Sequence, residues 1–189
     1  MTFHEYAHGW VAYRLGDDTA RLSGRLTLNP LAHLDPVGFL MMVLFRFGWA
    51  KPVPVNPLNI RGNRKKGMLL VALAGPMMNI CLGIVAAVFI RLVEGGVLPY
   101  NPYFYGFFWI FFSINVVLAS FNLIPLPPLD GSKILAGLLP YRYSRYIYQL
   151  ERYSSVILII LLFTGLLSVV YMPVYNFLSS LILKLAGIY

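Results

Sequence analysis

Charged residues are scarce in this chain. Lys, Arg, Asp and Glu make up 12% of its 189 residues, whereas a soluble domain carries about 25%. Hydrophobic residues make up 59%. So few polar side chains cannot cover the surface of a soluble globule, and so hydrophobic a composition excludes intrinsic disorder. The composition therefore predicts an integral membrane protein.

Cysteine and histidine are also rare. Cys81 is the only cysteine, which excludes a disulfide framework and a metal site built from cysteines. His33, one of three histidines, lies in the Pro-bounded segment NPLAHLDP and is interpreted as structural.

Long stretches without Asp, Glu, Lys or Arg predict the membrane spans. There are three such windows: Gly67–Ile90, Gly95–Leu129 and Tyr153–Leu183. A helix needs about 20 apolar residues to cross a bilayer. The first window therefore predicts one span, and the second predicts one at about residues 104–123. The third predicts a span at about residues 154–171, followed at Pro173 by a kinked continuation or an interfacial segment.

The distribution of basic residues predicts the orientation of these spans. The connection Glu94–Tyr103 contains no Lys or Arg. Basic residues cluster before the first window and between the second and third: Arg61, Arg64, Lys65 and Lys66, then Lys133, Arg142, Arg145 and Arg152. The positive-inside rule makes both clusters cytoplasmic. The formal net charge of +8 is therefore interpreted as a topology signal, and no nucleic-acid partner is expected.

Four shorter segments have their own patterns. Alternating polar and apolar residues at Arg21–Leu28 predict a short β-hairpin or edge strand. Pro36–Trp49 is apolar but too short to span, and is predicted to be re-entrant or interfacial. Lys51–Pro57 is Pro-rich and predicted to be extended. The cationic stripe among tyrosines in Pro140–Arg152 favours a helix lying at the membrane surface.

The first chemical motif is His4-Glu5-Tyr6-Ala7-His8, which matches H-E-x-x-H. On a helix, positions i and i+4 lie on one face, so both imidazoles can bind one zinc ion. Glu5 then lies where it can take a proton from a zinc-bound water. The motif fixes only three positions, and two interfacial histidines would give the same pattern. A catalytic zinc site also needs a third protein ligand and an open position.

The second motif is NLIPLPPLDG at residues 122–131, at the end of the second charge-free window. Asp130 is the only acidic residue between Glu94 and Glu151. An ionisable residue at a membrane boundary indicates a functional site. The three prolines prevent a continuous helix, and irregular backbone at that depth should line a cavity or be buried in protein. The alternative is an ordinary Pro-rich helix exit with a surface Asp.

Together, HEYAH and NLIPLPPLDG on a chain with about four predicted spans resemble the site-2 protease family of intramembrane zinc metalloproteases. The similarity is to its short branch without PDZ or CBS domains. Three further stretches also resemble this branch: GRLTLNPLAHLDPVG (24–38), WAKPVPVNP (49–57) and AGPMMN (74–79). The resemblance implies that His4, His8 and Asp130 bind one Zn²⁺ and that Glu5 is the general base.

The resemblance also suggests roles for two asparagines. An Asn of the AGPMMN motif lies near the active site in the family, where the amide of Asn79 would stabilise an oxyanion. The alternative for Asn79 is a helix-packing role beside Gly75. Asn122 is interpreted in the same way.

The expected protein is an all-α integral membrane protein with about four transmembrane helices, a short β-hairpin and a re-entrant or interfacial segment. Residues 1–139 are expected to form the metalloprotease core. Residues 140–189 are expected to form the interfacial helix and the C-terminal transmembrane segment or segments. The resemblance implies a multi-pass cell-membrane protein whose active site faces the cytoplasm. It would cleave a membrane-spanning substrate helix, with residues 21–28 holding the unwound substrate by strand addition.

The position of the first motif departs from the family, in which apolar sequence precedes the H-E-x-x-H. Here the motif begins at His4, so weak zinc binding or poor cleavage is expected unless the chain is extended. Two alternatives stay open: an integral-membrane zinc transporter, or a catalytically inactive scaffold of the same fold. The sequence does not identify the substrate, the trigger for cleavage or the oligomeric state.

Overall fold

The computed structural model describes residues 1–45, 48, 50–140, 142–143 and 149–188. Two short 3₁₀ helices cover Pro30–His33 and Pro57–Asn59. The α-helices are α1 (Thr2–Arg14), α2 (Thr19–Leu22), α3 (Pro36–Phe45), α4 (Arg64–Glu94), α5 (Pro102–Asn122), α6 (Asp130–Leu138), α7 (Ser154–Phe163) and α8 (Leu166–Leu185).

The chain divides into an N-terminal unit, Met1–Gly75, and a C-terminal unit, Pro76–Tyr189. In the N-terminal unit, Ala12 on α1 packs with Ile60 and with Val71 on α4. This cluster fixes α1 against the first turns of α4. The sequence-based division into a metalloprotease core, residues 1–139, and a C-terminal part, residues 140–189, concerns function. It stays a prediction.

The core of the C-terminal unit lies between α4, α5 and α8. Apolar residues of the three helices form one buried cluster: Ala86, Ala87 and Ile90 on α4, Phe112 and Val116 on α5, and Ile182 and Leu183 on α8. The hydroxyl groups of Ser113 and Tyr175 lie 3.2 Å apart and link α5 to α8. A second cluster, around Ile124, Leu129 and Leu167, packs the loop after α5 against α8.

Three described helices are long and apolar enough to cross a membrane: α4, α5 and α8. Helices α4 and α5 confirm the spans predicted from the first two charge-free windows. The third prediction is wrong in its boundaries, because the helix breaks at Gly165 and not at Pro173. Gly165 has a φ of 71°, a left-handed conformation that ends α7. Pro173 lies inside α8, as neighbouring helices allow in membrane proteins.

The predicted number of spans is not confirmed. Helix α1 has 13 residues and is not among the three candidate spans. Helix α7 has 10 residues, fewer than a crossing requires. The described residues therefore form a mostly helical membrane protein with three candidate spans where about four were expected.

The predicted β-hairpin at Arg21–Leu28 is wrong. Residues 21–22 belong to α2, and the segment that follows is irregular. Gly24 has a φ of 66° and ends the helix. The backbone N–H groups of Arg25 and Leu26 then donate to the carbonyl of Ala20, so these residues complete a helix end and form no ladder. Among the described residues, the β-pairing consists of a single antiparallel bridge between Leu34 and Ala50.

The other short segments are partly described. Pro36–Phe45 forms α3, which is too short to span, as predicted. Its re-entrant or interfacial placement stays a prediction, and Trp49 lies outside the described residues. Part of the predicted surface helix at Pro140–Arg152 also lies outside them, namely residues 141 and 144–148.

Candidate metal centre

His4 and His8 lie one turn apart on α1, and their side chains are 7% and 9% exposed. Their Nε2 atoms lie 3.1 Å apart. A tetrahedral zinc ion with Zn–N bonds of about 2.0–2.1 Å holds two ring nitrogens about 3.3–3.4 Å apart. The two imidazoles are therefore within a few tenths of an ångström of the spacing that one zinc ion requires.

A backbone carbonyl fixes the tautomer of His8. Nδ1 of His8 lies 2.7 Å from the carbonyl oxygen of Val71 on α4. Because a carbonyl only accepts, Nδ1 carries the proton and donates it to Val71. The neutral ring then presents the lone pair of Nε2 towards His4. Metal-ligating histidines commonly have this arrangement, in which the second ring nitrogen donates to a carbonyl.

The second histidine completes this arrangement. Nε2 of His4 faces Nε2 of His8 over the 3.1 Å between the rings. A metal ion shared by the two rings would require both Nε2 atoms to be unprotonated, because a histidine ligates through a deprotonated nitrogen.

The space beside the histidines depends on Gly75, the last residue of the N-terminal unit. A Cβ at this position would lie 2.6 Å from Nε2 of His4 and closer still to Nε2 of His8. Real Cβ atoms essentially never approach so closely. A side chain at position 75 would therefore occupy the region in front of both nitrogens, where a shared ion would bind.

Glu5 is half-buried between the two histidines in the sequence. Its Oε2 accepts a hydrogen bond of 2.9 Å from the backbone N–H of Val53. Val53 is 8% exposed, so this bond lies in a protected environment. One carboxylate oxygen of Glu5 is thus fixed by the protein backbone.

Val53 belongs to residues 51–56, which we call the proline-rich segment. Its extended conformation was predicted, and no helix is described in it. The N–H of Lys51 donates to the carbonyl of His33 over 2.9 Å. Nη2 of Arg25 donates to the carbonyl of Lys51 over 2.7 Å. These two contacts fix the start of the segment at Lys51.

The far end of the proline-rich segment is fixed by Asp17, which is fully buried. Its carboxylate accepts from the N–H of Asn56 over 2.7 Å and from Nδ2 of Asn59 over 3.0 Å. Burial alone would raise the pKa of Asp17, but the hydrogen bonds from Thr19, Asn59 and Asn56 outweigh it and hold that pKa below its usual value. The residue is therefore a charged acceptor at neutral pH.

In the C-terminal unit, Asp130 is the first residue of α6 and is 8% exposed. The loop between α5 and α6 is irregular, as its prolines predicted, and its Pro127–Pro128 peptide bond is cis. A Cβ at Gly131 would overlap the carbonyl groups of Leu123 and Ile124. Glycine thus lets the start of α6 lie directly against the end of α5, and this contact sets the position of Asp130.

The two predicted asparagines are in the same unit. Asn79 lies on α4 and is 1% exposed. Asn122 is the last residue of α5, and its Nδ2 donates to the carbonyl of Leu118 over 2.9 Å. That bond uses one of the two Nδ2 hydrogens, since an amide nitrogen carries two.

Within the N-terminal unit, the structure brings together His4, Glu5 and His8. It also supplies three partners that were not predicted: the carbonyl of Val71, the N–H of Val53 and the clearance at Gly75. The two backbone groups leave no signature in the sequence. Gly75 stands in the AGPMMN stretch already noted, and its place beside Pro76 in a charge-free window was the available signal. His33 is buried and its Nε2 lies 2.8 Å from the carbonyl of Thr27, consistent with a structural residue.

Comparison with known protein families gives one match. Residues 100–167 match the model of peptidase family M50. This region contains α5, the NLIPLPPLDG motif and Asp130. No solved structure matches the chain significantly.

Several curated proteins are similar over most of the chain. The "Putative zinc metalloprotease YwhC" of Bacillus subtilis is 42% identical over 189 residues, covering 98% of this chain and 86% of that protein. The "Putative zinc metalloprotease Rip2" of Mycolicibacterium smegmatis is 27% identical, covering 89% of this chain and 65% of that protein. The "Zinc metalloprotease MJ0392" of Methanocaldococcus jannaschii is 30% identical, and the chain spans 41% of its length.

Proposed function

Because this chain belongs to the M50 peptidases, the site-2 protease family of zinc metalloproteases, we propose that it hydrolyses a peptide bond of a membrane-spanning protein substrate. It is a metalloprotease whose metal is Zn²⁺. Its residue roles, substrate class and orientation are proposals, and each is argued below from the described residues. Membership in a peptidase family favours hydrolysis over zinc transport, the alternative that the sequence left open.

The observation that carries the proposal is the pair of buried histidines on α1. Their Nε2 atoms are 3.1 Å apart, and a carbonyl orients the ring of His8 for metal binding. The clearance that Gly75 leaves in front of both nitrogens supports a bound ion over a plain packing role. We therefore assign His4 and His8 as two zinc ligands.

Asp130 is proposed as the third ligand. It is buried, and it opens a helix that Gly131 holds against α5. With His4 and His8 it would make a set of three protein ligands, the number that a catalytic zinc site requires. Two histidines and one carboxylate leave one position of a tetrahedral zinc for water, as in other zinc peptidases.

Glu5 is proposed as the general base. Bound zinc would supply a water of pKa about 7, so that hydroxide forms at neutral pH. The carboxylate of Glu5 would take the proton of that water and pass it to the leaving amine nitrogen. The hydrogen bond from Val53 fixes the Oε2 atom of this carboxylate. Proton transfer therefore starts from an oriented side chain.

Asn79 and Asn122 are proposed to stabilise the oxyanion of the tetrahedral intermediate. Side-chain amide groups serve this role in other hydrolases, where one donor contributes a factor of about 10²–10³ to kcat. Asn79 is buried in α4. Asn122 has one amide hydrogen outside its bond to Leu118.

The apolar helices α4, α5 and α8 make this a multi-pass membrane protein. We propose that the active site faces the cytoplasm. Support comes from the basic residues of the connections, because Arg61, Arg64, Lys65 and Lys66 precede α4 and the connection after α4 lacks Lys and Arg up to α5. A site near the bilayer also restricts the substrates to membrane-spanning proteins.

One experiment tests the reaction. The purified 189-residue chain would be incubated with a membrane-spanning substrate that carries helix-destabilising residues, with and without a zinc chelator. We expect any cleavage by wild type, however slow, to be chelator-sensitive, and Glu5→Gln to retain as much zinc as wild type without cleavage.

Three outcomes would contradict the proposal. Cleavage by Glu5→Gln at the wild-type rate would show that Glu5 is not the general base. Zinc retention by wild type without cleavage of any such substrate would favour an inactive scaffold of the same fold. Zinc uptake into vesicles that survives Glu5→Gln would favour a transporter.

A further inference from the structure

A cavity of about 380 Å³ lies in the N-terminal unit, outside the candidate metal centre. It is open to solvent and resembles a depression of the surface more than an enclosed pocket. The cavity is lined by Tyr13, Arg14, Gly16, Asp18, Arg21 and Arg61. Three of its six lining residues are therefore arginines.

Two of these arginines are held by aromatic side chains of α1. The guanidinium carbon of Arg14 lies 5.5 Å from the ring centroid of Trp10. That of Arg21 lies 5.2 Å from the ring centroid of Tyr13. Cation–π contacts restrict both side chains without using their N–H donors. The donors are thus partly ordered before any ligand binds.

Arg61 is held by the backbone. Its N–H donates to the carbonyl of Leu15 over 2.9 Å. Its side chain crosses Gly16, where a Cβ would lie only 2.8–3.0 Å from the Cγ, Cδ and Nε atoms of Arg61. Gly16 has a φ of 104°, which favours glycine here independently. A turn that requires glycine therefore places the third arginine at the cavity.

The cavity carries an uncompensated positive charge. Asp18 is the acidic lining residue, and it pairs with Arg21 over 3.1 Å. The neighbouring Asp17 is fully buried, and its carboxylate accepts hydrogen bonds from Thr19, Asn56 and Asn59. Its charge therefore does not face the cavity. Three guanidinium groups and one carboxylate leave the lining with two excess positive charges. An anion would relieve their repulsion.

We propose that this cavity binds the phosphate group of an acidic phospholipid. Arginine clusters bind phosphate through paired N–H donors. The setting favours a lipid as the source of that phosphate. Trp10 and Tyr13 are 45% and 37% exposed beside the arginines, and exposed Trp and Tyr with Arg are typical of the membrane–water interface. The site is separate from hydrolysis and does not depend on the proposed catalytic residues.

Native mass spectrometry tests this site on the full chain. The detergent-solubilised protein would be mixed with equal amounts of phosphatidylglycerol and phosphatidylcholine, and lipid adducts would be counted. Wild type should retain phosphatidylglycerol in preference. Arg61→Gln and, as a second variant on another element, Arg14→Gln should each lower that retention about tenfold, as expected for loss of a hydrogen bond to a charged group.

The matched control is Arg64→Gln, which removes the same charge three residues from Arg61 but does not line the cavity. It should retain phosphatidylglycerol as wild type does. Equal losses in Arg61→Gln and Arg64→Gln would overturn the proposal in favour of a general charge effect. Equal retention of the two lipids would also overturn it. Full displacement of phosphatidylglycerol by millimolar inorganic phosphate would identify a site for the free anion and overturn the assignment to lipid.

Discussion

Oε2 of Glu5 accepts a hydrogen bond of 2.9 Å from the backbone N–H of Val53, 48 residues further along the chain. The proposed general base is therefore oriented by a peptide group and not by a second side chain. A peptide donor does not titrate, so this hydrogen bond does not depend on the protonation state of a partner side chain. The bond also makes the placement of the base depend on the proline-rich segment.

Replacement of Val53 by proline removes this donor. Val53 stands between Pro52 and Pro54, which already favour an extended backbone, so proline fits the local conformation. We expect kcat to fall by up to about a hundredfold, because a misplaced catalytic group can cost that much. KM and zinc stoichiometry should stay near wild type. Val53→Ala is the control, because it also removes the valine side chain but keeps the backbone N–H. Equal kcat values for the two variants would contradict the positioning role.

Gly75→Ala should impair zinc binding. The added Cβ would fall within 2.6 Å of Nε2 of His4 and would displace the imidazoles or the ion. We expect zinc affinity to fall about 10–100-fold, as for other substitutions beside metal ligands. Competition with a chromogenic chelator measures it. Gly83→Ala on the same helix is the control, because its Cβ would meet Val116 at an ordinary 3.4 Å. Unchanged affinity in Gly75→Ala would show that the ion binds elsewhere.

Asn79→Ala should lower kcat by about 10²–10³ without loss of zinc, the range measured for a single oxyanion donor. Asn115→Ala provides a matched control. Asn115 is also a buried asparagine of the C-terminal unit, and its Nδ2 donates to the carbonyl of Phe111 within its own helix. Both variants lose a buried amide, so a common effect on folding would appear in both. Similar kcat values for the two variants would assign Asn79 to packing.

Asp17 should make stability depend on pH. Its pKa is lowered in the fold from an ordinary value of 3.8, so its contribution is fully present above that value and is lost as the pH falls through the lower, folded pKa. At pH 7, Asp17→Asn should lower the free energy of unfolding by about 1.5–3 kcal/mol, the range for hydrogen bonds to a charged group.

Thermal unfolding of wild type and Asp17→Asn across pH 2–7 measures this contribution. The gap between the two should close in the acid range. Asp35→Asn is a suitable control, because Oδ1 of Asp35 accepts one hydrogen bond from Gly38 where Asp17 accepts several. A gap that is constant down to pH 2 would contradict the expected linkage.

The sequence predicted those parts of the fold that depend on composition over many residues. Helices α4 and α5 follow from windows of apolar residues, because a chain in lipid must satisfy its backbone within each helix. The histidine pair follows from a helical spacing of four residues. Both are local rules, and the residues involved are neighbours in the chain.

Two errors occurred at glycines whose left-handed backbone, and not the pattern of apolar residues, decides where a helix ends. Arg21–Leu28 alternates like a strand, but Gly24 ends a helix there and the N–H groups of residues 25–26 bond to Ala20. The break of the last apolar window was assigned to Pro173, while the left-handed residue is Gly165. The bond from Val53 to Glu5 joins two positions that no local pattern relates.

The contacts of the proline-rich segment predict which positions a genetic screen should return. Its backbone is bound by Arg25 and Asp17 as well as by Glu5, so a substitution at any of the three perturbs the same six residues. A screen for loss-of-function alleles should therefore return positions 17 and 25 alongside 4, 5 and 8. Among these positions, alleles at His4 and His8 should lose metal because they remove a proposed ligand, whereas alleles at positions 5, 17 and 25 should retain it.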